Sequence, residues 1–189
     1  MNFLAQTLPE GVVIESRFYP VHTDFKNWIK IAELLEEEKE HGMENIAEVL
    51  LLCYIELPES LFEAMQGVFD FLSGGAFKSF KKSGGIDKQR CFSFKEDGRL
   101  IYAAFLSQYG IDLLDEPLHW HKFLALFSAL KGEHKLFDVV KIRGMNLSEI
   151  KDREKRASIR KLKRIYALSD RKNETEKAEE IADKMAGLF

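Results

Sequence analysis

His119 and His121 are the side chains of this chain that most invite a metal reading. On a helix, positions i and i+2 point roughly 200° apart, so the two rings could not grip one ion. Helical ligand pairs use i,i+3 or i,i+4 spacing, and His22, His41 and His134 are scattered along the chain. A structural or surface role is therefore expected for the pair. Cys53 and Cys91 lack a close-spaced Cys or His companion. Cys53 lies in the apolar run Leu50-Leu51-Leu52-Cys53-Tyr54-Ile55, which predicts a small buried hydrophobe. Gly74-Gly75 and Gly84-Gly85 are flanked by Lys78, Lys81, Lys82 and Lys88. A phosphate loop needs Lys followed by Ser or Thr after the glycines, and Lys82-Ser83 comes before them. The chain has no Gly-x-Ser-x-Gly elbow. Asp112 could in principle act as an acid, but after Gly110-Ile111 it reads as a turn residue bonded to nearby amides. These patterns predict no catalytic residue, no cofactor and no metal, and so a protein that works by binding.

The strongest electrostatic signal spans residues 151–166. Lys151, Arg153, Lys155, Arg156, Arg160, Lys161, Lys163 and Arg164 oppose only Asp152 and Glu154. Ile159, Leu162, Ile165 and Tyr166 would form one narrow apolar face. Such a helix can sit on phosphates, dock on an acidic helix or be solvated. The chain holds an acidic counterpart in Glu33, Glu36, Glu37, Glu38, Glu40, Glu44 and Glu48, so pairing within the chain or between copies competes with nucleic acid. No DNA-reading motif accompanies the charge, and a solvated or protein-docked face is favoured. Arg160, Lys161, Lys163 and Arg164 are the candidate electrostatic surface.

The elements that would position these groups are mainly helical. Residues 11–21 are the best β segment, with Val12, Val13, Ile14, Phe18, Tyr19 and Val21 around a turn-like Glu15-Ser16-Arg17. Thr23 or Asp24 caps a helix bearing Phe25, Trp28, Ile29, Ala32 and Leu35, with Gly42 as its stop. A second helix is expected from about residue 44 to residue 54. Ser60-Leu61-Phe62-Glu63 is a capping box opening a helix with Leu61, Met65, Val68 and Leu72 on one face, broken at Ser73-Gly74-Gly75. Residues 74–97 read as a loop with a short strand at 91–94. Asp97 then caps a helix that is apolar nearly all round and ends at Gly110. Asp115-Glu116-Pro117 starts the next, with Trp120, Phe123, Leu124, Phe127 and Leu130 as its stripe, ending by Gly132. A short helix over 134–142 follows. Ser148 caps the basic helix, and Asn173-Glu174-Thr175-Glu176 opens a terminal amphipathic one with Ala178, Ile181, Ala182 and Met185.

With 189 residues, one full core is expected. The 15 Phe promise a core or a partner face rich in aromatic surface. A net charge of −3 announces neither nucleic acid nor membrane. No apolar run reaches the ~20 residues that span a bilayer, and no signal peptide is visible, so a cytoplasmic setting is expected.

Four segments in order carry a resemblance. They are Leu8-Pro9 leading through Val12 and Val21 to Thr23-Asp24-Phe25, and Phe92-Ser93-Phe94 with Asp97. Ile101-Tyr102-Ala103-Ala104-Phe105 then continues to Tyr109-Gly110-Ile111-Asp112-Leu113. Last come Leu118-His119-Trp120, Lys122-Phe123 and Ala125-Leu126-Phe127 with Leu130. With a late Arg143 and the basic helix up to Tyr166-Ala167-Leu168, the chain resembles the bacteriophage gene-product-fifteen family of tail-module proteins from long-tailed phages and prophages of Gram-positive bacteria. His121 stands where that family usually has an aromatic, and Ser169 where Pro is expected.

The resemblance implies a non-catalytic tail assembly chaperone in the host cytoplasm. It would bind the helical tape measure protein, with the tail tube protein as a further candidate partner and a homo-oligomer left open. The expected fold is mainly α, one helical domain over 8–170 with a small N-terminal β-hairpin-like element and a tail over 171–189. Candidate partner-binding residues are Phe77, Phe80, Phe92, Phe94, Ile181 and Met185. Two rival readings stay open, a structural virion protein of the tail or connector and a nucleic-acid-binding protein using the basic helix.

Overall fold

Two β-rich stretches separated by Glu15 and Ser16 close into a hairpin. In the computed structural model, which describes residues 7–36, 38–74 and 91–169 (backbone alone at 38–44), β1 is Gly11–Ile14 and β2 is Arg17–Pro20. They are antiparallel, pairing Val12 with Tyr19, Val13 with Phe18 and Ile14 with Arg17. Arg17 therefore belongs to the strand and leaves a two-residue turn. Glu15 and Ser16 have φ of 47° and 69°, the positive values a type I′ turn demands. The hairpin is extended by an isolated bridge from Val21 to Tyr54.

Seven α-helices follow among the described residues, confirming a mainly helical fold. They are α1 Phe25–Glu36, α2 Glu38–Cys53, α3 Leu61–Ser73, α4 Phe94–Tyr109, α5 Trp120–Ser128, α6 Lys135–Gly144 and α7 Arg153–Ile165. Among the described residues, no helix is long and apolar enough to cross a membrane.

Several ends fall where local chemistry places them. Asp24 Oδ1 accepts the Lys26 amide at 2.8 Å, and Ser60 caps α3 through the Glu63 amide. Gly74, at φ 51°, closes α3, and Gly110, at φ 68°, follows α4. Asp112 is the expected turn residue, its Oδ1 accepting from the Leu114 amide at 2.9 Å.

Other ends differ. Gly42 lies inside α2 because α2 packs along α1, and packing outweighs the ~1 kcal/mol propensity cost of a helical glycine. Residues 91–93 form no strand. Helix α4 begins a turn before the expected cap, with Ser93 Oγ accepting from the Glu96 amide and Asp97 reaching back to the Ser93 amide at 3.0 Å. Asp115-Glu116-Pro117 does not open α5. The Phe25 amide donates to the Leu118 carbonyl and the Trp120 amide to the Thr23 carbonyl, which holds 118–119 extended and delays the helix to Trp120. Asp152, not Ser148, caps α7, since Ser148 is drawn into a short 3-10 turn, Leu147–Glu149, capped by Asn146.

The chain divides into two compact units, residues 1–85 with 105–130 and residues 86–104 with 131–189. In the first, an aromatic ladder forms the core. Phe123 stacks on Phe25, Phe105, Trp120 and Phe127 with centroids 5.0–5.8 Å apart, and Trp28 stacks on Phe71 at 4.6 Å. The buried face of α1 is Phe25, Trp28 and Ile31, turned slightly from the expected stripe toward this ladder. Both indole N–H groups find carbonyls, Trp28 at His22 and Trp120 at Leu72. In the second unit, Ile101, Ala104, Leu136, Val139 and Leu168 are buried.

Candidate functional site

Two features stand out, a buried polar hub in the second unit and outward apolar faces on the first. The hub is Arg143. Its guanidinium meets Asp97 bidentately, Nη1 to Oδ2 at 2.6 Å and Nη2 to Oδ1 at 3.0 Å, and also donates to the Cys91 and Tyr166 carbonyls. Both side chains are buried, and the pair ties the first turn of α4 to α6 and to the end of α7. Lys163 reinforces this junction by donating to the Arg143 and Met145 carbonyls at 2.8 and 2.6 Å. Asp97 and Arg143 are the residues sequence reading missed as partners. The available signal was a lone Arg on an otherwise apolar helix face, which needs a carboxylate once buried. A 260 Å³ cavity lies beside the hub, between Leu100, Lys135, Ile165 and Tyr166. The guanidinium that reaches it is already neutralised by Asp97.

The histidine pair is structural in its bonding. His119 is not helical but the N-cap of α5. Its Nδ1 accepts from the His121 amide at 3.0 Å, so Nε2 carries the proton and donates to the Pro9 carbonyl. His121 Nε2 donates to the Phe71 carbonyl at 2.9 Å, and its ring packs 4.5 Å from that of Phe71. Burial lowers both imidazole pKa values, and the neighbouring carbonyl bonds oppose that shift only in part. Among the described residues, no group of three or more His, Cys, Asp or Glu is placed to hold a metal. Cys53 is fully buried, and burial pushes its thiol up to about 12.

The apolar faces lie on the hairpin and on α3. Val12, Ile14 and Tyr19 turn inward, so Val13 and its partner Phe18 share the outer side, 69% and 56% exposed. The Ile55 amide donates to Pro20, and Ile55, next to buried Tyr54, is 63% exposed. Helix α3 buries Ala64, Gly67, Val68 and Phe71, so of the expected Leu61, Met65, Val68 and Leu72 only Val68 is fully buried. The small residues let other groups come close, because a Cβ on Gly67 would collide with the Tyr54 hydroxyl and press on Val12. That hydroxyl donates to the Ala64 carbonyl at 2.7 Å. The opposite side of α3 carries Phe62 and Phe69, 71% and 49% exposed, with Met65 half-buried between them.

Of the expected contact residues, Phe92 and Phe94 are half-buried and meet edge-to-face at 5.4 Å. Phe77, Phe80, Ile181 and Met185 lie outside the described residues. On α7, Arg160, Lys161 and Arg164 are exposed, whereas Lys163 is turned to the carbonyls above.

This is a helical protein with a small hairpin, an aromatic core and exposed apolar side chains. Residues 4–168 match the family model described as Bacteriophage Gp15 protein, and the chain belongs to that family. Its broad role is in phage tail morphogenesis, with the tail-assembly machinery as its setting. No curated protein and no solved structure matches the chain.

Proposed function

We propose that this protein is a tail assembly chaperone that binds the tape measure protein and keeps it soluble until tube protein polymerises round it. The observation that carries the reading is that large apolar side chains of the first unit, Val13, Phe18, Ile55, Phe62 and Phe69, face solvent. Paired large apolar side chains on an outer face, Val13 with Phe18 on the hairpin and Phe62 with Phe69 on α3, suit contact with an apolar partner. A tape measure protein presents amphipathic helices, which dock by their apolar face. Phe92 and Phe94, half-buried, are a second proposed contact. The test is affinity capture from cells expressing the phage genes, with mass spectrometry of what co-purifies. Recovery of the tape measure protein is expected; recovery of portal or tube protein alone would favour a structural virion role.

One observation favours a second reading. Arg153, Arg160, Lys161 and Arg164 are exposed on α7, a suitable arrangement for phosphates. Salt-sensitive DNA binding that disappears on reversing Arg160, Lys161 and Arg164 would establish it. Binding unchanged by those reversals would remove it.

A further inference from the structure

His119 sits where three segments of the first unit meet. Its backbone is held in place, because the Phe25 amide donates to the Leu118 carbonyl at 2.9 Å and the Trp120 amide to the Thr23 carbonyl at 2.7 Å. Its half-buried ring bridges two further groups at once. Nδ1 accepts from the His121 amide at 3.0 Å and so caps α5, while Nε2 donates to the Pro9 carbonyl, also at 3.0 Å. The ring thus ties the chain just before β1 to the first turn of α5. A histidine cap has a chemical condition that a Ser, Thr or Asn cap lacks. Neutral imidazole has one accepting nitrogen, and that nitrogen is where the ring takes up a proton.

With Nδ1 protonated, two N–H groups face each other across the cap, and a positive charge stands at the positive end of α5. Nε2 keeps its proton, and its bond to the Pro9 carbonyl becomes charge-assisted. Residues 118–120 are clamped by the segment leading into α1, so relief comes from rotation of the ring or fraying of the first turn of α5. The surrounding charges divide the same way. Glu10, beside Pro9, favours the charged ring, and Lys122 on α5 opposes it. Asp24 lies across the bridge from His119, with its Oδ1 engaged by the Lys26 amide. His121 differs in kind. Its ring lies against Phe71, Gly74 and the His119 ring, its Nε2 donates to the Phe71 carbonyl, and a proton on its other nitrogen leaves that bond in place. We infer that His119 is a proton-operated clasp: neutral, it fastens the segment before β1 to α5, and a proton on Nδ1 breaks the fastening at the α5 side. Burial lowers the His119 pKa from its ordinary value of about 6.5, so the clasp is closed at neutral pH and opens as pH falls through the lowered value. The clasp does not depend on the chaperone reading.

The test is NMR on the full chain from pH 7.5 to 5.0, reading the ring-nitrogen shifts of both histidines and the exchange of named amides. At pH 7.5 the His119 ring carries its proton on Nε2. The protection factor of the His121 amide, taken against the intrinsic rate at each pH, falls at least tenfold in step with the His119 titration. The Val21 amide, bonded to the Glu10 carbonyl, keeps its protection. His119→Asn supplies a cap that takes up no proton in this range, so the amide at 121 stays protected throughout. His121→Phe leaves the loss at 121 in place, which separates the clasp from the second histidine. A proton found on Nδ1 at pH 7.5 overturns the inference, as does protection at 121 that holds through the His119 titration. Equal loss at Val21 also overturns it, because it reports general unfolding in place of a local release. Persistence of the pH dependence in His119→Asn, or its disappearance in His121→Phe, assigns the effect to another group and removes the clasp.

Discussion

Arg143 shows what burial does to a single charge. Its pairing with Asp97 is bidentate and buried, and its Nε and Nη1 also donate to the Tyr166 and Cys91 carbonyls. Removing one partner strands the other in a poorly solvated place. Arg143→Met is therefore expected to cost about 3–5 kcal/mol in urea unfolding. Asp97→Leu combined with Arg143→Met is expected to recover much of that loss, because no unpaired charge remains. A single and a double variant equally destabilised would refute this account. The histidines make a pH prediction. Burial holds both rings below their ordinary pKa, so the unfolded chain takes up the protons first as pH falls. Their contribution is complete above about pH 6.5 and declines as pH drops through that value toward the lowered folded ones. Melting temperatures recorded from pH 7.5 to 5.0 should fall, and His121→Phe should flatten the fall. An unchanged slope in that variant would show that His121 does not contribute.

At the scale of elements, the hairpin turn carries strain that its sequence does not relieve. Glu15 and Ser16 both take positive φ, where Asn-Gly is the favoured pair. Glu15→Asn with Ser16→Gly is expected to raise stability by about 1–2 kcal/mol, read as a shift in the urea midpoint with unchanged slope. A lower midpoint would mean that these side chains supply something the turn geometry does not. The start and stop of α3 were legible in Ser60-Leu61-Phe62-Glu63 and Gly74, because caps are local bonds. Its buried face was not. Leu61, Met65 and Leu72 look more apolar than Ala64 and Gly67, yet the small residues face inward because Tyr54 and Val12 need the space. The onset of α5 was hidden for a similar reason, since strand-like bonds from Thr23 and Phe25 keep 118–119 extended.

For the whole molecule, the proposed chaperone role sets one expectation about timing. A chaperone leaves when the tube closes over its client, whereas a structural component stays. Mass spectrometry of purified mature particles should then find no copies of this chain. Stoichiometric copies in finished particles would transfer the same apolar faces to a permanent interface.

The amino-acid sequence by itself determined the helical class, the hairpin, the helix ends at Asp24, Ser60, Gly74 and Gly110, and the absence of any recognised catalytic motif. These depend on neighbours within a few positions, on periodicity and on turn chemistry. It also carried the family resemblance, through aromatic and polar residues in a set order. The tertiary structure decided which face α3 buries, that Asp97 and Arg143 form a pair, and that Lys163 turns toward backbone carbonyls. Those outcomes depend on residues tens of positions apart competing for the same space and the same hydrogen bonds, and no local pattern records that competition.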